Sequence, residues 1–342
     1  MKVLVIRFSA LGDVAMTVPV INTFACQHPD YEIKVLTRSR FAPLFSWMPE
    51  NVGTIGVNLD DYKGVLGLKR LFDELKTQHF DVVADLHDVL RSKILRWFFR
   101  MYGCRVSVID KGRKEKKELM GNGMTHEPLK PMRQRYWEAL NADSECCAEV
   151  PDFSSVGPAR KSGEDNGAIS VGIAPFAAYE TKMYPLDMMK KVVEGLRAKG
   201  MKVFLFGGGA KEKAILQEWE CDGVTSMCGR LSGLKEELEF MRGLDLMIAM
   251  DSGNLHLASM MGVKTLSVWG ATHPKAGFVP EESVVMEKDC PCRPCSTYGN
   301  KPCRYGDLHC LRMIEPEEIV DLVNSYQFTG LRACSPELVK KQ

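Results

Sequence analysis

The sequence predicts an α/β protein made of two doubly wound, Rossmann-like domains that face a central cleft. Short β-rich runs alternate with amphipathic helical segments, which is the pattern of βαβ units and a mostly parallel sheet. The alternation stops at a polar, turn-rich stretch from Pro151 to Gly167 and then starts again. With 342 residues, the chain is long enough for two domains that each bury a core.

The first half of the chain predicts five strands, at Val3–Phe8, Ile33–Thr37, Gly53–Val57, Val82–Leu86 and Val106–Ile109. The intervening segments predict four helices, at Val14–Gln27, Leu66–Gln78, Val89–Tyr102 and Arg133–Asn141. Residues 1–155 are therefore expected to form the first domain.

The second half predicts four more strands, at Ile169–Ala174, Lys202–Phe206, Leu246–Met250 and Thr265–Trp269. Its predicted helices are Leu186–Lys199, Lys211–Glu220, Lys235–Arg242 and Leu255–Met261. Residues 168–315 are expected to form the second domain. A last helix at Pro316–Tyr326 opens a C-terminal segment, 316–342, that is expected to pack back on the first domain.

Composition excludes several classes of protein. Hydrophobic residues make up 45% and charged residues 26% of the chain, which is typical of a globular protein and not of a disordered one. The 45 Lys and Arg residues against 44 Asp and Glu exclude a uniformly basic surface. The apolar run near the N-terminus is too short for a secretory signal, and no run reaches the ~18 apolar residues of a membrane span. We therefore expect a cytoplasmic protein with reduced thiols.

The turn from Phe8 to Val14 joins the first strand to the first helix, where ligands bind in open α/β sheets. Gly12 stands alone there, so the Gly-x-Gly-x-x-Gly fingerprint of dehydrogenases is missing. Asp13 lies at the start of the helix. It can cap that helix, or it can act as a general base that takes a proton from a sugar hydroxyl.

A second motif, Asp251-Ser252-Gly253-Asn254-Leu255-His256, follows an apolar strand and opens a helix. Free backbone N–H groups at such a helix start bind anions, although a capped helix with a buried His256 is the simpler alternative. The Gly207-Gly208-Gly209 turn is expected on a neighbouring strand, so the two turns together predict a nucleotide pocket. Lys182 lies in the loop after Pro175, where it can contact a phosphate or remain solvated.

These motifs together carry a family resemblance. The segment from Arg7 to Pro19 resembles the opening of the ADP-heptose:lipopolysaccharide heptosyltransferases, glycosyltransferase family 9. Asp85–Lys93, the Lys182 loop, the Gly207–Gly209 turn and Asp251–Ala258 follow in the family's order. So do Trp269-Gly-Ala-Thr272 and a late cysteine-rich loop, and the likeness spans nearly the whole chain.

The resemblance implies a GT-B fold and metal-independent, inverting transfer of heptose from ADP-heptose to the inner core of a lipopolysaccharide precursor. It implies that Asp13 is the general base. The implied donor-binding residues are Lys182, Gly208, Gly209, Asp251, Ser252, Gly253 and His256. The implied acceptor-binding residues are Ser9, Gly12, His87, Arg91, Arg113, Lys114, Lys116 and Lys117.

Two departures from the family pattern bear on the substrates. Asp85-Leu-His87-Asp88 stands where the family often has Asp-x-Gln-Gly, and Gly270-Ala271-Thr272 stands where it has Gly-Pro-Thr. One alternative is therefore a GT-B transferase with another nucleotide sugar. A second is a non-catalytic, two-domain ligand-binding protein, which the missing signal peptide disfavours.

Five cysteines crowd into the stretch from Cys290 to Cys310. Zinc bound by Cys292, Cys295, Cys303 and Cys310 is one alternative, and a disulfide is another. Six residues separate the last two of these cysteines, unlike a repeated short Cys-x-x-Cys spacing. We expect reduced structural thiols and no cofactor besides the donor substrate.

Residues 91–136 hold 13 Lys and Arg against four Asp and Glu, an excess of +9 that the rest of the chain offsets. Such an excess fits an anionic glycolipid acceptor, and the resemblance places an acceptor loop at Lys111–Lys117. Transient contact with the inner face of the cytoplasmic membrane is expected. Within the run Arg96-Trp-Phe-Phe-Arg100, the helix is expected to bury Trp97 and Phe98 and to leave its arginines solvated.

Overall fold

The computed structural model describes residues 1–122, 127–142, 151–153, 156 and 168–328. Five strands form the first sheet: β1 (Lys2–Ile6), β2 (Glu32–Arg38), β3 (Val52–Val57), β4 (Val82–Asp85) and β5 (Arg105–Val108). Their order is β3-β2-β1-β4-β5, and every neighbouring pair is parallel. The predicted alternation of strands and helices is confirmed here.

The helices of this half are α1 (Leu11–Gln27), α2 (Gly64–Lys76), α3 (Leu90–Met101), α4 (Arg113–Asn122) and α5 (Met132–Leu140). Helices α1 and α5 pack together, while α2 and α3 share a second core with Leu4 and Ile6 of β1. The acceptor segment Lys111–Lys117 was expected to be a loop, but it is largely helical, so the expectation of a loop was wrong. Gly112 turns the chain with a φ of +59°, and the Lys- and Glu-rich residues after it favour a helix.

Six strands form the second sheet: β6 (Ser170–Ala174), β7 (Lys202–Leu205), β8 (Val224–Ser226), β9 (Leu246–Met250), β10 (Lys264–Val268) and β11 (Ser283–Met286). All are parallel, in the order β11-β10-β9-β6-β7-β8. The short edge strands β8 and β11 were not predicted. The turn at Gly207–Gly209 follows β7 and the Asp251 turn follows β9, with β6 between them, so the expectation of neighbouring strands was wrong.

The helices of the second half are α6 (Leu186–Ala198), α7 (Gly209–Gln217), α8 (Leu234–Arg242), α9 (Gly253–Met260), α10 (His309–Arg312) and α11 (Pro316–Phe328). Helix α11 packs on α6, where Val320 lies against Gly195. For α11 the expectation of packing on the first domain was therefore wrong, because the apolar face of this helix completes the core of the second sheet instead. Residues 329–342 lie outside the described residues, as do 157–167 of the expected linker.

The two halves contact each other directly. Helices α1 and α9 pack together, and two backbone hydrogen bonds run across, from Leu129 N to Lys275 O and from Met132 N to Gly277 O, each 2.8 Å long. Among the described residues, no helix combines the length and apolar character needed to span a bilayer.

Candidate active site

Asp13 lies in the first turn of α1, close to the carboxyl end of β1. Its Oδ2 accepts a hydrogen bond from Ala10 N (3.1 Å) and pairs with Arg7 Nη2 at 2.9 Å. Burial acts to raise the pKa of Asp13, but the Arg7 guanidinium and the Ala10 N–H outweigh it and hold the pKa below its usual value. The side chain, 29% exposed, is thus a carboxylate that both caps the helix and faces the cleft.

His87 lies behind this carboxylate, in the loop after β4. Its Nε2 is 3.3 Å from Ser9 Oγ, which brings two of the predicted acceptor residues together. Burial, helped by the charge of Arg7, lowers the pKa of His87 to about 3, so the ring is neutral at neutral pH. A neutral ring can donate or accept a hydrogen bond but adds no charge to the site.

The starts of α1 and α9 touch across the cleft. A Cβ added to Gly12 would lie 2.7 Å from His256 Cδ2 and 3.3 Å from Gly253 Cα, so a larger residue at position 12 would have to displace the His256 ring. Two residues predicted in separate motifs, one acceptor-side and one donor-side, are therefore neighbours. Burial lowers the pKa of His256 to about 4, and its Nδ1 and Ser252 Oγ are buried with no hydrogen-bond partner among the described residues.

Lys182 reaches the same place from the loop after β6. Its Nζ lies 2.8 Å from Asp251 Oδ2, and Thr272 Oγ1 donates to that oxygen at 2.8 Å. Lys182 and Asp251 are only 14% and 13% exposed. Thr272 stands in the Trp269–Thr272 motif, but its role as the residue that orients Asp251 was missed. Thr272 and Asp251 are 21 residues apart in the chain, so the sequence alone does not indicate this contact.

The Gly207–Gly209 turn borders a cavity of about 120 Å³. The lining residues include Phe206, Met227, Leu231 and Glu237. A Cβ on Gly208 or Gly209 would meet nothing within 4 Å, and Gly208 N donates to Glu212 Oε2 at 2.7 Å. Glu237 was not predicted, and its burial raises the pKa of its carboxyl group. Its position on the inward side of α8 is the only signal that could have found it.

The predicted basic acceptor residues fall into two groups. Arg91, Lys114 and Lys117 are exposed. Arg113 is also exposed, and its Nη2 lies 2.7 Å from Asp88 Oδ2. Lys116 is only 5% exposed, with Nζ 4.3 Å from the centre of the Phe278 ring, and burial lowers its pKa to about 8. Lys116 therefore contacts the second half of the chain and lies apart from the exposed lysines beside it.

Lys111 begins the predicted acceptor segment Lys111–Lys117 but was not named among the acceptor-binding residues. Burial, helped by the charge of Arg7, lowers its pKa to about 8, and Asp13 acts in the opposite direction.

The expectation for α3 was wrong at two residues. Trp97 is 56% exposed instead of buried. Arg96 is turned inward, 2.7 Å from Asp85 Oδ2 and 2.9 Å from Asp88 Oδ1. Asp85 is fully buried and must be paired, so Arg96 turns inward to it. Phe98 packs against the Phe72 ring, 5.5 Å away.

The cysteine-rich loop follows β11 and packs on the second sheet. The described cysteines are free thiols, and Cys290 Sγ lies 3.3 Å from Cys292 Sγ. Cys292, Cys295, Cys303 and Cys310 line one small cavity. Within the part of the chain that the structure describes, no three His, Cys, Asp or Glu side chains are arranged to hold a metal ion.

Several known proteins resemble this chain over most of its length. Lipopolysaccharide heptosyltransferase 1 of Pseudomonas aeruginosa is 25% identical over 324 residues, which cover 89% of this chain and 88% of the relative. The solved structure of E. coli ADP-heptose lps heptosyltransferase II superposes with a TM-score of 0.70 at 19% identity, covering 96% of this chain and 99% of that one. E. coli heptosyltransferase WaaC with ADP gives a TM-score of 0.67 at 16% identity, with coverage of 96% and 98%.

The predicted fold is confirmed, because two parallel-sheet domains resemble these GT-B structures across nearly their full length. The model of the family "Glycosyltransferase family 9 (heptosyltransferase)" matches residues 68–305. This protein is a glycosyltransferase and belongs to glycosyltransferase family 9.

Proposed function

We propose that the protein transfers heptose from ADP-heptose to the inner core of a lipopolysaccharide precursor, with inversion at the sugar carbon and without a metal ion. The family match and the relative from Pseudomonas aeruginosa support this choice of substrates. The alternatives are a transferase with another nucleotide sugar, or a ligand-binding protein without catalytic activity.

One observation carries the proposal. The starts of α1 and α9 meet, so the Asp13 carboxylate of one half lies near the Lys182–Asp251 pair and the helix start of the other. Inverting transfer requires a base on one side of the sugar carbon and stabilisation of a leaving phosphate on the other. This arrangement offers both.

In the proposed reaction, an acceptor hydroxyl attacks the anomeric carbon of heptose while its proton passes to Asp13. The bond from that carbon to the diphosphate breaks, and ADP leaves with the electron pair. Lys182 and the N–H groups at the start of α9 stabilise the negative charge that develops on the diphosphate. These groups supply the positive charge that Mg²⁺ provides in other transferases.

The donor would lie along the second sheet. Gly208 and Gly209 border open space at the end of β7, and the nucleoside would occupy it beside the cavity that Phe206 and Met227 line. The diphosphate would extend from there past β6 towards Ser252, Gly253 and His256. Ser252 Oγ and His256 Nδ1, both buried and unpaired within the described residues, are available to it.

The acceptor would lie along the first sheet, in contact with Ser9, Gly12 and His87. Arg91, Arg113, Lys114 and Lys117 would bind its phosphates and acidic sugars. Lys116 is not included among these acceptor-binding residues, because its amine is buried against Phe278. An acceptor of this kind is a lipid, so we also propose peripheral contact with the inner face of the cytoplasmic membrane.

A nucleotide-release assay against a panel of nucleotide sugars tests the proposal. Release of ADP that requires both ADP-heptose and a heptose-deficient lipopolysaccharide acceptor is the expected result. Release only from a different donor would select the first alternative. Donor binding without turnover on any donor and acceptor would select the second.

A further inference from the structure

Helix α3 exposes an apolar stripe to solvent. Leu90, Trp97 and Met101 are 74%, 56% and 71% exposed, and Ile94 between them is half-buried. The spacing of 4, 3 and 4 residues places all four on one side of the helix. The opposite side carries Leu95 and Phe99, which are fully buried. Helix α3 is therefore apolar on both sides, although only one side packs on the sheet.

The charges beside this stripe are all positive. Helix α3 contains Arg91, Lys93, Arg96 and Arg100 and no acidic residue. Arg96 is turned inward to Asp85 and Asp88, whereas Arg91, Lys93 and Arg100 are exposed on the two flanks of the stripe. Lys93 Nζ lies 3.7 Å from Asp88 Oδ1, whereas within the described residues neither Arg91 nor Arg100 has a carboxylate partner.

Helix α2 extends the exposed apolar surface. Val65 and Leu66 in its first turn are 57% and 87% exposed. Helices α2 and α3 pack side by side, and they follow β3 and β4 of one parallel sheet. Both helices therefore begin at the carboxyl ends of their strands, the end of the sheet that carries the cleft, and Leu90, three residues after His87, lies on the rim of that cleft.

We propose that the outer face of α3 docks on a lipid bilayer that carries anionic headgroups, with Leu90, Trp97 and Met101 inserted at the interface. The inference deepens the proposed function and rests on it, since the acceptor is taken to be a lipid anchored in that bilayer. Docking by α3 would place the rim of the cleft next to the membrane surface, where the sugar portion of the acceptor can enter.

Charge and side-chain chemistry favour a bilayer over a protein partner. Tryptophan is enriched at membrane interfaces, where its ring meets acyl chains and its N–H meets water. Exposed basic residues on both flanks suit the negative potential of an anionic leaflet. A second copy of this chain would bring the same cations together and repel itself.

Trp97 gives a direct readout of docking. It is the most exposed of the five tryptophans, since Trp137, Trp219 and Trp269 are buried and Trp47 is half-buried. The full chain is mixed with vesicles of phosphatidylcholine, with or without phosphatidylglycerol. We expect vesicles with phosphatidylglycerol to bind the protein, to shift Trp97 emission to the blue and to protect it from acrylamide. A W97F variant should lose that change in emission.

Two variants separate the apolar and electrostatic contributions. W97S/M101S is expected to weaken vesicle binding by about tenfold or more, because two large apolar contacts are lost. R100Q is expected to weaken binding to phosphatidylglycerol vesicles by about fivefold and to leave phosphatidylcholine unaffected. The matched control is Y298S, because Tyr298 is also 56% exposed but lies in the second half of the chain; it should bind vesicles like the wild type.

Three results would overturn the inference. The first is wild-type binding that does not increase with phosphatidylglycerol. The second is vesicle binding that W97S/M101S leaves unchanged. The third is a dimer, seen by sedimentation equilibrium without vesicles, that W97S/M101S abolishes, since it would assign the face to a second copy. Thermal unfolding of each variant shows that the fold is retained.

A deacylated, water-soluble acceptor distinguishes this inference from the proposed function. W97S/M101S should transfer sugar to the soluble acceptor like the wild type and should be slower only on acceptor embedded in vesicles. If the wild type transfers no sugar to the soluble acceptor either, the proposed function is contradicted. If both proteins transfer sugar to both acceptors at equal rates, the proposed docking face is contradicted.

Discussion

Lys182 Nζ lies 2.8 Å from Asp251 Oδ2, and the same oxygen accepts a hydrogen bond of 2.8 Å from Thr272 Oγ1. Asp251 directly precedes the residues that open α9, so this contact ties the lysine of one loop to the helix start of another strand. The pair is largely shielded from water, which strengthens its attraction. It fixes the position of a positive charge at the site where we propose that the diphosphate binds.

We expect K182M to reduce kcat by about a hundredfold, because a preorganised cation that stabilises the leaving group is lost. K182R should retain part of the activity, since it keeps the charge but changes the geometry. Steady-state nucleotide release measures both. Equal rates for K182M and wild type would show that Lys182 only anchors Asp251.

Replacement of Asp13 tests the base. D13N keeps an oxygen that can accept the Ala10 N–H but cannot take up a proton, so kcat should fall by about 10²- to 10⁴-fold. Donor affinity, measured by calorimetry, should be unchanged because the donor is placed on the second sheet. A D13N enzyme with normal turnover would exclude Asp13 as the base and leave it a role as a helix cap.

Gly12 and Gly208 form a matched pair of glycines. G12A would press a methyl group against His256 and the Gly253 backbone, and we expect about 1–3 kcal/mol of destabilisation from this overpacking. G208A has open space around its Cβ, so its stability should stay near wild type while its new methyl group weakens donor binding. Chemical denaturation and donor titration measure the two effects. Equal stability of G12A and wild type would mean that the two helix starts can separate at no cost.

Acid should destabilise the fold through its buried histidines. The pKa values of His87 and His256 are lowered to about 3 and about 4, from 6.5. Between each lowered pKa and 6.5, the unfolded chain binds more protons at these histidines than the folded chain does. The stability that the neutral histidines contribute is therefore fully present above pH 6.5 and is lost as the pH falls. The loss should reach several kcal/mol, since each pKa unit is worth about 1.4 kcal/mol.

The free energy of unfolding as a function of pH measures this loss. H87Q should make the free energy of unfolding less dependent on pH. H79N is the control because His79 is exposed, and the slope of the H79N profile should match that of the wild type. Asp13 acts in the same direction as the histidines, because its lowered pKa also costs stability on acidification. A wild-type profile that is flat from neutral pH down to about pH 4 would contradict the assignment.

The parts of the site that follow single strands could be predicted from the sequence. Asp251 directly follows an apolar strand, Asp13 and Lys182 lie in the segments that follow two others, and in parallel sheets the carboxyl ends of the strands lie on one side. The contact between Gly12 and His256 could not be predicted, because it joins residues far apart in the chain. Thr272 and Glu237 were missed for the same reason, since each acquires its importance from a neighbour on another element.

By itself, the sequence determined the alternation of strands and helices, the two parallel sheets, and the turns that carry the site. These features depend on local periodicity and on short turn motifs, which neighbouring residues specify. Only the tertiary structure decided that α11 packs on the second domain, that Arg96 turns inward and that Trp97 turns outward. Helix α3 is apolar on both sides, so apolar pattern alone does not select the side that is buried. The fully buried Asp85 carboxylate requires a positively charged partner, and the orientation that pairs it with Arg96 turns Trp97 to the outside.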